Sequence, residues 1–127
     1  MDETITLTPI GHVENAFDER AEPDTIRAQV SRVVVDADLQ AGLLGLQAGG
    51  QVMVVYYFHR SRGFELRQHR RGDPHEPELG VFALRSPDRP NPIGVTVVDV
   101  LEIEGRVLTV RGLDALNGSP VLDIKPA

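Results

Sequence analysis

Residues 95–113 read VTVVDVLEIEGRVLTVRGL, two runs of β-branched residues on either side of the pair Glu104-Gly105. In the second run, apolar and polar side chains alternate from Leu108 to Arg111. This period of two is typical of a strand with one solvent-exposed face. A glycine between two such runs favours a tight hairpin turn. The stretch therefore predicts a β-hairpin with its turn at Glu104-Gly105.

The rest of the chain repeats this pattern of short strands. Glycine, proline, aspartate and asparagine separate the β-branched runs, and no long helical period appears. The predicted strands cover residues 4–13, 28–35, 52–58, 81–84, 95–103, 107–113 and 121–124. One short helix is predicted at residues 38–46, with Asp36 or Asp38 as its cap and with Leu39, Leu43 and Leu46 on one face. Many short strands in a small chain suit a barrel or a sandwich, and we predict a mainly β, single-domain barrel, closed or nearly closed, with one short helix.

Composition narrows the class of protein. With 127 residues, 41% hydrophobic and 25% charged, the chain fits one globular domain, and its composition argues against the disordered, collagen-like and membrane classes. The longest apolar run, residues 52–58, is too short to cross a bilayer. The first three residues, Met-Asp-Glu, do not resemble the start of a signal peptide, so we predict a cytoplasmic protein. The absence of cysteine excludes disulfides, thiolate zinc sites and a cysteine nucleophile.

Positive charge is concentrated in one part of an acidic chain. A net charge of −6 argues against a protein whose whole surface binds nucleic acid. Seven of the 13 basic residues, however, fall between residues 60 and 89: Arg60, Arg62, Arg67, Arg70, Arg71, Arg85 and Arg89. This arginine-rich stretch is either a positive face or a solvated loop. Within it, residues 61–78 match no regular element, and unstructured segments of that length are usually functional or disordered.

Residues 85–94, RSPDRPNPIG, form a segment that we call the proline loop. Three prolines within six residues restrict its backbone, with Arg85 at its start and Arg89 in its middle. A rigid loop that presents guanidinium groups suits a carboxylate, a phosphate or a π-face. The alternative is a rigid turn whose arginines are merely solvated.

Residues 112–126, GLDALNGSPVLDIKP, contain a turn signal, NGSP at 117–120, followed by a strand. On an extended strand, Asp123 and Lys125 share one side, with Leu122 and Ile124 on the other. The Asp-Lys pair could be a surface ion pair of little energetic value. At a binding site, the same pair could hold the amino or carboxylate group of an amino-acid-like ligand.

His59 and Arg60 directly follow the apolar run 52–58, at a position where barrels often open to a ligand. A lone histidine is more often structural or solvated than catalytic, although its pKa suits acid-base work. The four histidines show no HxxxH spacing and no carboxylate pattern fits a metal, so no metal is predicted. The chain also lacks GxGxxG, P-loop and GxSxG motifs.

Six segments together resemble one known family. They are PIGHV at 9–13, the strand end at 54–59, GVFALRSP at 80–87, RPNPIG at 89–94, GLD at 112–114 and PVLDIKP at 120–126. In this order and spacing they resemble the TsaA-like or YaeB-like family, whose characterised members are tRNA (N6-threonylcarbamoyladenosine-N6)-methyltransferases. The resemblance spans nearly the whole chain.

The resemblance implies a β-barrel methyltransferase, unlike the Rossmann type, that works as a homodimer with S-adenosyl-L-methionine near the subunit interface. The implied reaction methylates N6 of threonylcarbamoyl-adenosine beside the tRNA anticodon, with the arginine-rich stretch facing the anticodon loop. The implied cofactor-binding residues are His59, Arg60, Arg85, Val95, Ser119, Val121, Leu122 and Asp123. The predicted acceptor-binding residues are Arg89, Asn91 and Lys125, and the catalytic base is unassigned.

Three departures from the family pattern keep other functions open. Members that act on tRNA usually have a Pro-Arg-Gln segment where this chain has AEPD at 21–24, and the usual DGTP turn is NGSP here. Many bacterial members continue into a second domain, whereas a single TsaA-like domain over residues 1–127 is expected here. The alternatives are a methyltransferase that acts on a small-molecule acceptor and a non-catalytic module that binds S-adenosyl-L-methionine.

Overall fold

The structure, a computed structural model, describes residues 3–19, 25 and 28–127. Short antiparallel strands, joined by turns and 3-10 helices, make up most of its regular structure. The strands of these residues are β1 (Gly11–Glu14), β2 (Val30–Val35), β3 (Gln51–Tyr57), β4 (Arg67–His69), β5 (Glu78–Gly80), β6 (Ile93–Glu104), β7 (Val107–Arg111) and β8 (Pro120–Pro126). The 3-10 helices are Ala37–Leu43, Arg70–Gly72 and Val81–Ala83.

Six of these strands form a closed barrel in the order β1-β2-β7-β6-β3-β8, which confirms the predicted fold class. β8 closes the barrel because it pairs with β3 on one side and with β1 on the other. The β8–β1 pairing is short, with Gly11 opposite Val121 and His12 opposite Pro120. A full closure of this kind leaves no unpaired sheet edge.

The barrel interior is filled mainly by valine, in keeping with the β-branched runs of the sequence. The buried residues that form this core are Val13, Val33, Val35, Val52, Val54, Tyr56, Val98, Val100, Leu108, Val110, Leu113, Ala115 and Val121. Tyr56 has the largest of these side chains, and its hydroxyl donates to the carbonyl of Asp114 at 2.6 Å. The same hydroxyl lies 3.0 Å from Oγ1 of Thr96. The core thereby fixes the segment that leads into the turn at 117–120.

The predicted helix is present as the 3-10 helix Ala37–Leu43, shorter than the predicted 38–46. Asp36 occupies the N-cap position, but its side chain makes no capping hydrogen bond. Leu43 and Leu46 pack against the core, whereas Leu39 is exposed. Leu46 lies outside the helix, beyond its C-cap residue Leu44.

Two predicted strands are wrong in whole or in part. Residues 81–84 form the 3-10 helix Val81–Ala83, because Val81 is buried alone while Phe82 is 79% exposed, so no alternating face exists. The predicted strand 4–13 is a strand only from Gly11, where its ladder with β8 begins. Ile5 and Leu7 are exposed side chains outside any strand.

No element was predicted for the charged segment 61–78, but it contains β4. This strand pairs with β5 in a two-stranded sheet. An ion pair between Arg67 and Glu78, 2.8 Å apart, joins its strands. The hairpin of β6 and β7 turns at Gly105 and Arg106, one residue later than predicted, since Glu104 still pairs with Val107. Gly105 has a φ of 58°, which a glycine adopts without strain.

Among the described residues, no helix has the length and apolar character needed to span a membrane. The cytoplasmic location stays a prediction.

Candidate functional site

The three segments that the sequence singled out meet where β3 ends. The backbone N–H of Phe58 donates to the carbonyl of Pro92 in the proline loop at 2.7 Å. On the other side, Nδ1 of His59 lies 3.4 Å from Oγ of Ser119, in the turn before β8. The strand end, the proline loop and the turn at 117–120 therefore form one region, which we call the barrel-end site.

The proline loop is held by its own arginine. Nη1 of Arg89 donates to the carbonyl of Leu84 at 2.8 Å and to that of Ser86 at 3.3 Å. Oγ of Ser86 accepts from the backbone N–H of Asp88 at 3.1 Å. Arg89, a predicted acceptor-binding residue, thus stabilises the loop with part of its guanidinium group.

Arg85 differs from Arg89 in its surroundings. Its side chain is exposed and makes no hydrogen bond or ion pair with any residue that the structure describes. A rigid loop therefore presents a guanidinium group with all its donors available. An exposed guanidinium group of this kind fits both interpretations of the sequence, an arginine that binds a carboxylate or phosphate and one that is merely solvated.

Side chains from the arginine-rich stretch fasten the proline loop to the hairpin of β4 and β5. Nε2 of Gln68 donates to the carbonyl of Asp88 at 2.7 Å, and Oγ of Ser61 donates to Oδ1 of Asp88 at 3.3 Å. The backbone N–H of Val81 donates to the carbonyl of Leu66 at 2.8 Å. Movement of the hairpin would therefore move the loop that carries Arg85.

Gly94, at the end of the proline loop, leaves room for two aromatic rings beneath it. A Cβ at this position would lie 2.6 Å from Cζ of Phe58 and 2.8 Å from the ring of Tyr56. The two rings pack edge to face, with centroids 5.3 Å apart. The glycine thus lets β6 begin directly against the end of β3.

Two asparagines hold the turn at 117–120, and sequence reasoning assigned a function to neither. The backbone N–H of Asn15 donates to Oδ1 of Asn117 at 3.1 Å, and Nδ2 of Asn15 donates to the carbonyl of Ala115 at 2.8 Å. Nδ2 of Asn117 donates to Oδ1 of Asp18 at 3.1 Å. From the sequence, the Asn-Gly pair predicted only a turn. The hydrogen-bond partners of Asn117 lie more than 90 residues away, so no local pattern indicated them.

His59 lies against this turn with part of its ring shielded from water. Burial lowers the pKa of His59 from its usual 6.5, and the nearby positive charge of Arg60 lowers it further. Ser119 is 2% exposed, and its hydroxyl donates to the carbonyl of Leu116 at 2.7 Å. Both residues were predicted cofactor contacts, and the structure brings them together.

Asp123 and Lys125 lie on one side of β8, as predicted, and form an ion pair of 2.5 Å. The hydrogen bond from Lys125 lowers the pKa of Asp123; burial opposes that shift, and the backbone N–H of Ile124 and the charge of Lys125 reinforce it. Leu122 was predicted to share the opposite side with Ile124. A bulge leaves Leu122 without a partner on β3, and Ile124 alone of the two packs against the core.

The remaining predicted residues lie in different surroundings. Val95 is on the outer side of the barrel, paired with Val55, which in turn pairs with Asp123. Val121 is completely buried, so its side chain has no surface to offer a cofactor. Arg60 and Asn91 are exposed near the barrel-end site.

A groove of about 560 Å³ lies between the 3-10 helix Ala37–Leu43 and β8. Its lining includes Asp123 and Lys125 but neither His59 nor Arg85. We place the candidate site at the end of β3 rather than in this groove, because three predicted segments converge there.

The structure does not test two predictions, one on the segment at 21–24 and one on metal binding. The segment at 21–24, which departs from the family pattern, lies outside the described residues. In the part of the chain that the structure covers, no three histidine or acidic side chains group closely enough to hold a metal ion. The metal-free site stays a prediction.

Comparison with known proteins gives consistent matches along the chain. The family model of the tRNA-methyltransferase O N-terminal domain matches residues 12–127. A probable S-adenosyl-L-methionine-binding protein of Methanothermobacter thermautotrophicus is 37% identical over 98% of this chain and 91% of its own length. An S-adenosyl-L-methionine-binding protein of Archaeoglobus fulgidus is 40% identical over 94% of this chain and 86% of its own length.

The crystal structure of TrmO from Pseudomonas aeruginosa resembles the barrel with a TM-score of 0.76 and 30% identity over 98% of this chain. The chain spans 56% of that solved chain.

Proposed function

The chain belongs to the family of the tRNA-methyltransferase O N-terminal domain, and we propose that it binds S-adenosyl-L-methionine and transfers the methyl group to a nitrogen atom. The proposed acceptor is N6 of threonylcarbamoyl-adenosine in tRNA. The observation that carries this proposal is the convergence of the β3 end, the proline loop and the turn at 117–120 at one place.

Residues of the barrel-end site and of the outer face of β6 and β8 fit the chemical groups of this cofactor. The exposed guanidinium group of Arg85 suits its carboxylate, because arginine offers a planar fork of donors. Asp123, whose pKa is lowered, carries the negative charge that suits an α-ammonium group. Val95 supplies exposed apolar surface on the same outer face as Asp123, with Val55 between them, for a flat ring such as adenine.

The bound cofactor supplies a methyl group that its sulfonium already activates. The protein's own contribution is to align the acceptor nitrogen with that methyl group and to take up a proton. A rigid loop and a hydrogen-bonded turn suit this task, since both hold their side chains without large motion.

The arginine-rich stretch supports tRNA as the substrate. In the described residues, Arg67 is paired with Glu78, while Arg60, Arg62, Arg70 and Arg71 form no ion pair. Arginines without an ion pair could contact phosphates, and binding of this kind weakens steeply with salt.

A homodimer is part of the same proposal, and the outer surface of the barrel supports it. Apolar side chains lie opposite one another along the outside of β3 and β6, in three cross-strand pairs. This outer apolar band consists of Met53, Val55, Tyr57, Ile93, Val95 and Val97. Polar pairs border it, with Gln51 donating to Asp99 at one end and Asp123 with Lys125 along one side. Apolar patches with a polar rim commonly mark protein interfaces.

We expect Val97→Asp to make the protein monomeric, because the charge would have to be desolvated in the dimer interface. Val97 is 47% exposed in the barrel, so the substitution is tolerated by the fold. Val30→Asp is the matched control, since Val30 is 46% exposed on β2, outside the outer apolar band. Light scattering at micromolar concentration checks both variants. A monomeric wild-type protein contradicts the dimer, and equal masses for the two variants contradict the outer apolar band as its interface.

The test of the function is methyl transfer from radiolabelled S-adenosyl-L-methionine into tRNA from cells that lack the endogenous enzyme. Label on threonylcarbamoyl-adenosine is the expected result. Transfer only to a small acceptor in a tRNA-free extract would replace the substrate and keep the enzyme class.

A second function is favoured by the names of the relatives, several of which are described only as binding S-adenosyl-L-methionine. In that case calorimetry would show cofactor binding while no acceptor becomes labelled.

A further inference from the structure

We propose that His59 accepts the proton that the acceptor nitrogen loses during methyl transfer, and that Ser119 positions its imidazole ring. The inference rests on the proposed methyltransferase function and adds a role for two residues at the barrel-end site. It follows from hydrogen-bond directions, from the space beside the ring and from the charge state of the ring.

The hydrogen bonds of Ser119 decide which ring nitrogen of His59 carries the proton. A hydroxyl has one proton to donate, and Oγ of Ser119 directs it to the carbonyl of Leu116 at 2.7 Å. Towards Nδ1 of His59, 3.4 Å away, the same oxygen can therefore act only as an acceptor. The hydrogen bond requires a proton on Nδ1, which leaves the lone pair of Nε2 free to accept another proton.

Gly118 places no side chain beside Nε2 of His59. A Cβ at position 118 would lie 3.7 Å from Nε2 of His59, so a larger side chain there would extend over the nitrogen. Gly118 also has a φ of 83°, which side chains disfavour. The glycine of the turn thus serves both the turn geometry and the access to the ring.

The ring of His59 is neutral near pH 7, as a proton acceptor must be. Burial and the charge of Arg60 both lower its pKa from 6.5. The turn packed against it, residues 116–119, contains no ionisable side chain that would raise the pKa again. Asp123 is a poorer base, since the hydrogen bond from Lys125 lowers its pKa below that of an ordinary aspartate.

The proposed step balances. The lone pair of the acceptor nitrogen forms a bond to the methyl carbon while the carbon–sulfur bond breaks. The electron pair of the broken bond stays on the sulfur. The N–H proton moves to Nε2 of His59, so the positive charge lost at the sulfonium appears on the imidazolium. The imidazolium then releases the proton to water.

The test is His59→Asn, which keeps an amide donor near Ser119 but has no base at the position of Nε2. We expect the single-turnover rate of methyl transfer to fall about 10²- to 10⁴-fold, the usual contribution of a general base. The wild-type rate should fall as the pH drops through the lowered pKa of His59, and the variant should lose this dependence. Added imidazole should restore part of its rate.

Affinity for S-adenosylhomocysteine, measured by calorimetry, separates proton transfer from cofactor binding. A loss of rate that exceeds the loss of affinity by more than about tenfold supports the proposal, since removal of His59, an implied cofactor contact, is also expected to weaken binding. A parallel loss of affinity and rate would assign His59 to cofactor binding alone and overturn the proposal.

The ring tautomer offers a second test that needs no turnover. In ¹⁵N NMR spectra at pH 7.5, we expect His59 to carry its proton on Nδ1, and Ser119→Ala to abolish this preference. A proton on Nε2 in the wild-type protein would refute the proposal and leave the proposed function intact. Absence of methyl transfer by the wild-type protein to any acceptor would overturn the proposed function, and the proton transfer with it.

Discussion

Gly11→Ala is expected to unfold the barrel or to destabilise it by more than about 3 kcal/mol, beyond the usual range for overpacking. A Cβ at position 11 would lie 2.2 Å from the carbonyl oxygen of Val34 and 2.9 Å from Cα of Val35. Both atoms are backbone, so no change of rotamer can relieve the clash. Gly11 also pairs with Val121 on β8, at the seam where the barrel closes. Relief of the clash would therefore separate strands that close the sheet.

Urea unfolding followed by circular dichroism measures this effect. Domains of this size are stable by about 5–15 kcal/mol, so the loss should shift the midpoint strongly. Gly42→Ala is the control, because a Cβ at position 42 would meet nothing within 4 Å. Its stability should stay within about 0.5 kcal/mol of the wild type. A Gly11→Ala protein that unfolds at the wild-type midpoint would show that β1 can move away from β2 at no cost.

The strands that the sequence predicts best are those with long β-branched runs. β3 and the hairpin of β6 and β7 occur within a few residues of their predicted positions, because their β-branched runs favour an extended backbone. Residues 81–84 contain a single β-branched residue, Val81, and they form a 3-10 helix. β4 and β5 could not be predicted, since they are short, charged and outside the barrel.

The sequence predicted which segments form the candidate site, but not what each residue in them does. Turn and proline signals marked the proline loop and the turn at 117–120 correctly, because they are local. Arg89 stabilises the loop and Arg85 does not, because within the described residues only Arg89 of the two has a carbonyl group within hydrogen-bonding distance. Val121 is buried because of the register of β8. Such facts follow from tertiary structure, which the local sequence does not contain.

One departure from the family pattern has a physical explanation in this structure. The amide of Asn117 accepts from the backbone of Asn15 through Oδ1 and donates to Asp18 through Nδ2. An aspartate at position 117 could accept but could not donate, and it would face the carboxylate of Asp18. Asn117 therefore suits a chain that has Asp18 beside the turn, and the turn keeps the position that brings Ser119 to His59.

Arg85→Ala is expected to lower cofactor affinity and Arg89→Ala to lower stability, although the two residues lie in the same loop. Arg85 is exposed and makes no hydrogen bond within the described residues, so its removal should leave stability within about 0.5 kcal/mol of the wild type. Loss of a charge-assisted bond to the cofactor carboxylate, worth about 1.5–3 kcal/mol, should weaken binding of S-adenosyl-L-methionine about 10- to 100-fold. Calorimetry measures that affinity.

Arg89→Ala should instead lower stability by about 1–3 kcal/mol, because the carbonyls of Leu84 and Ser86 lose their donor. Its effect on cofactor affinity should be smaller than that of Arg85→Ala and should arise from loosening of the proline loop. Arg85→Lys keeps the charge but loses the planar fork of donors of the guanidinium group. Its affinity for S-adenosyl-L-methionine should therefore lie between those of the wild type and Arg85→Ala. Unchanged affinity in Arg85→Ala would remove Arg85 from the cofactor site and leave the proline loop with a structural role alone.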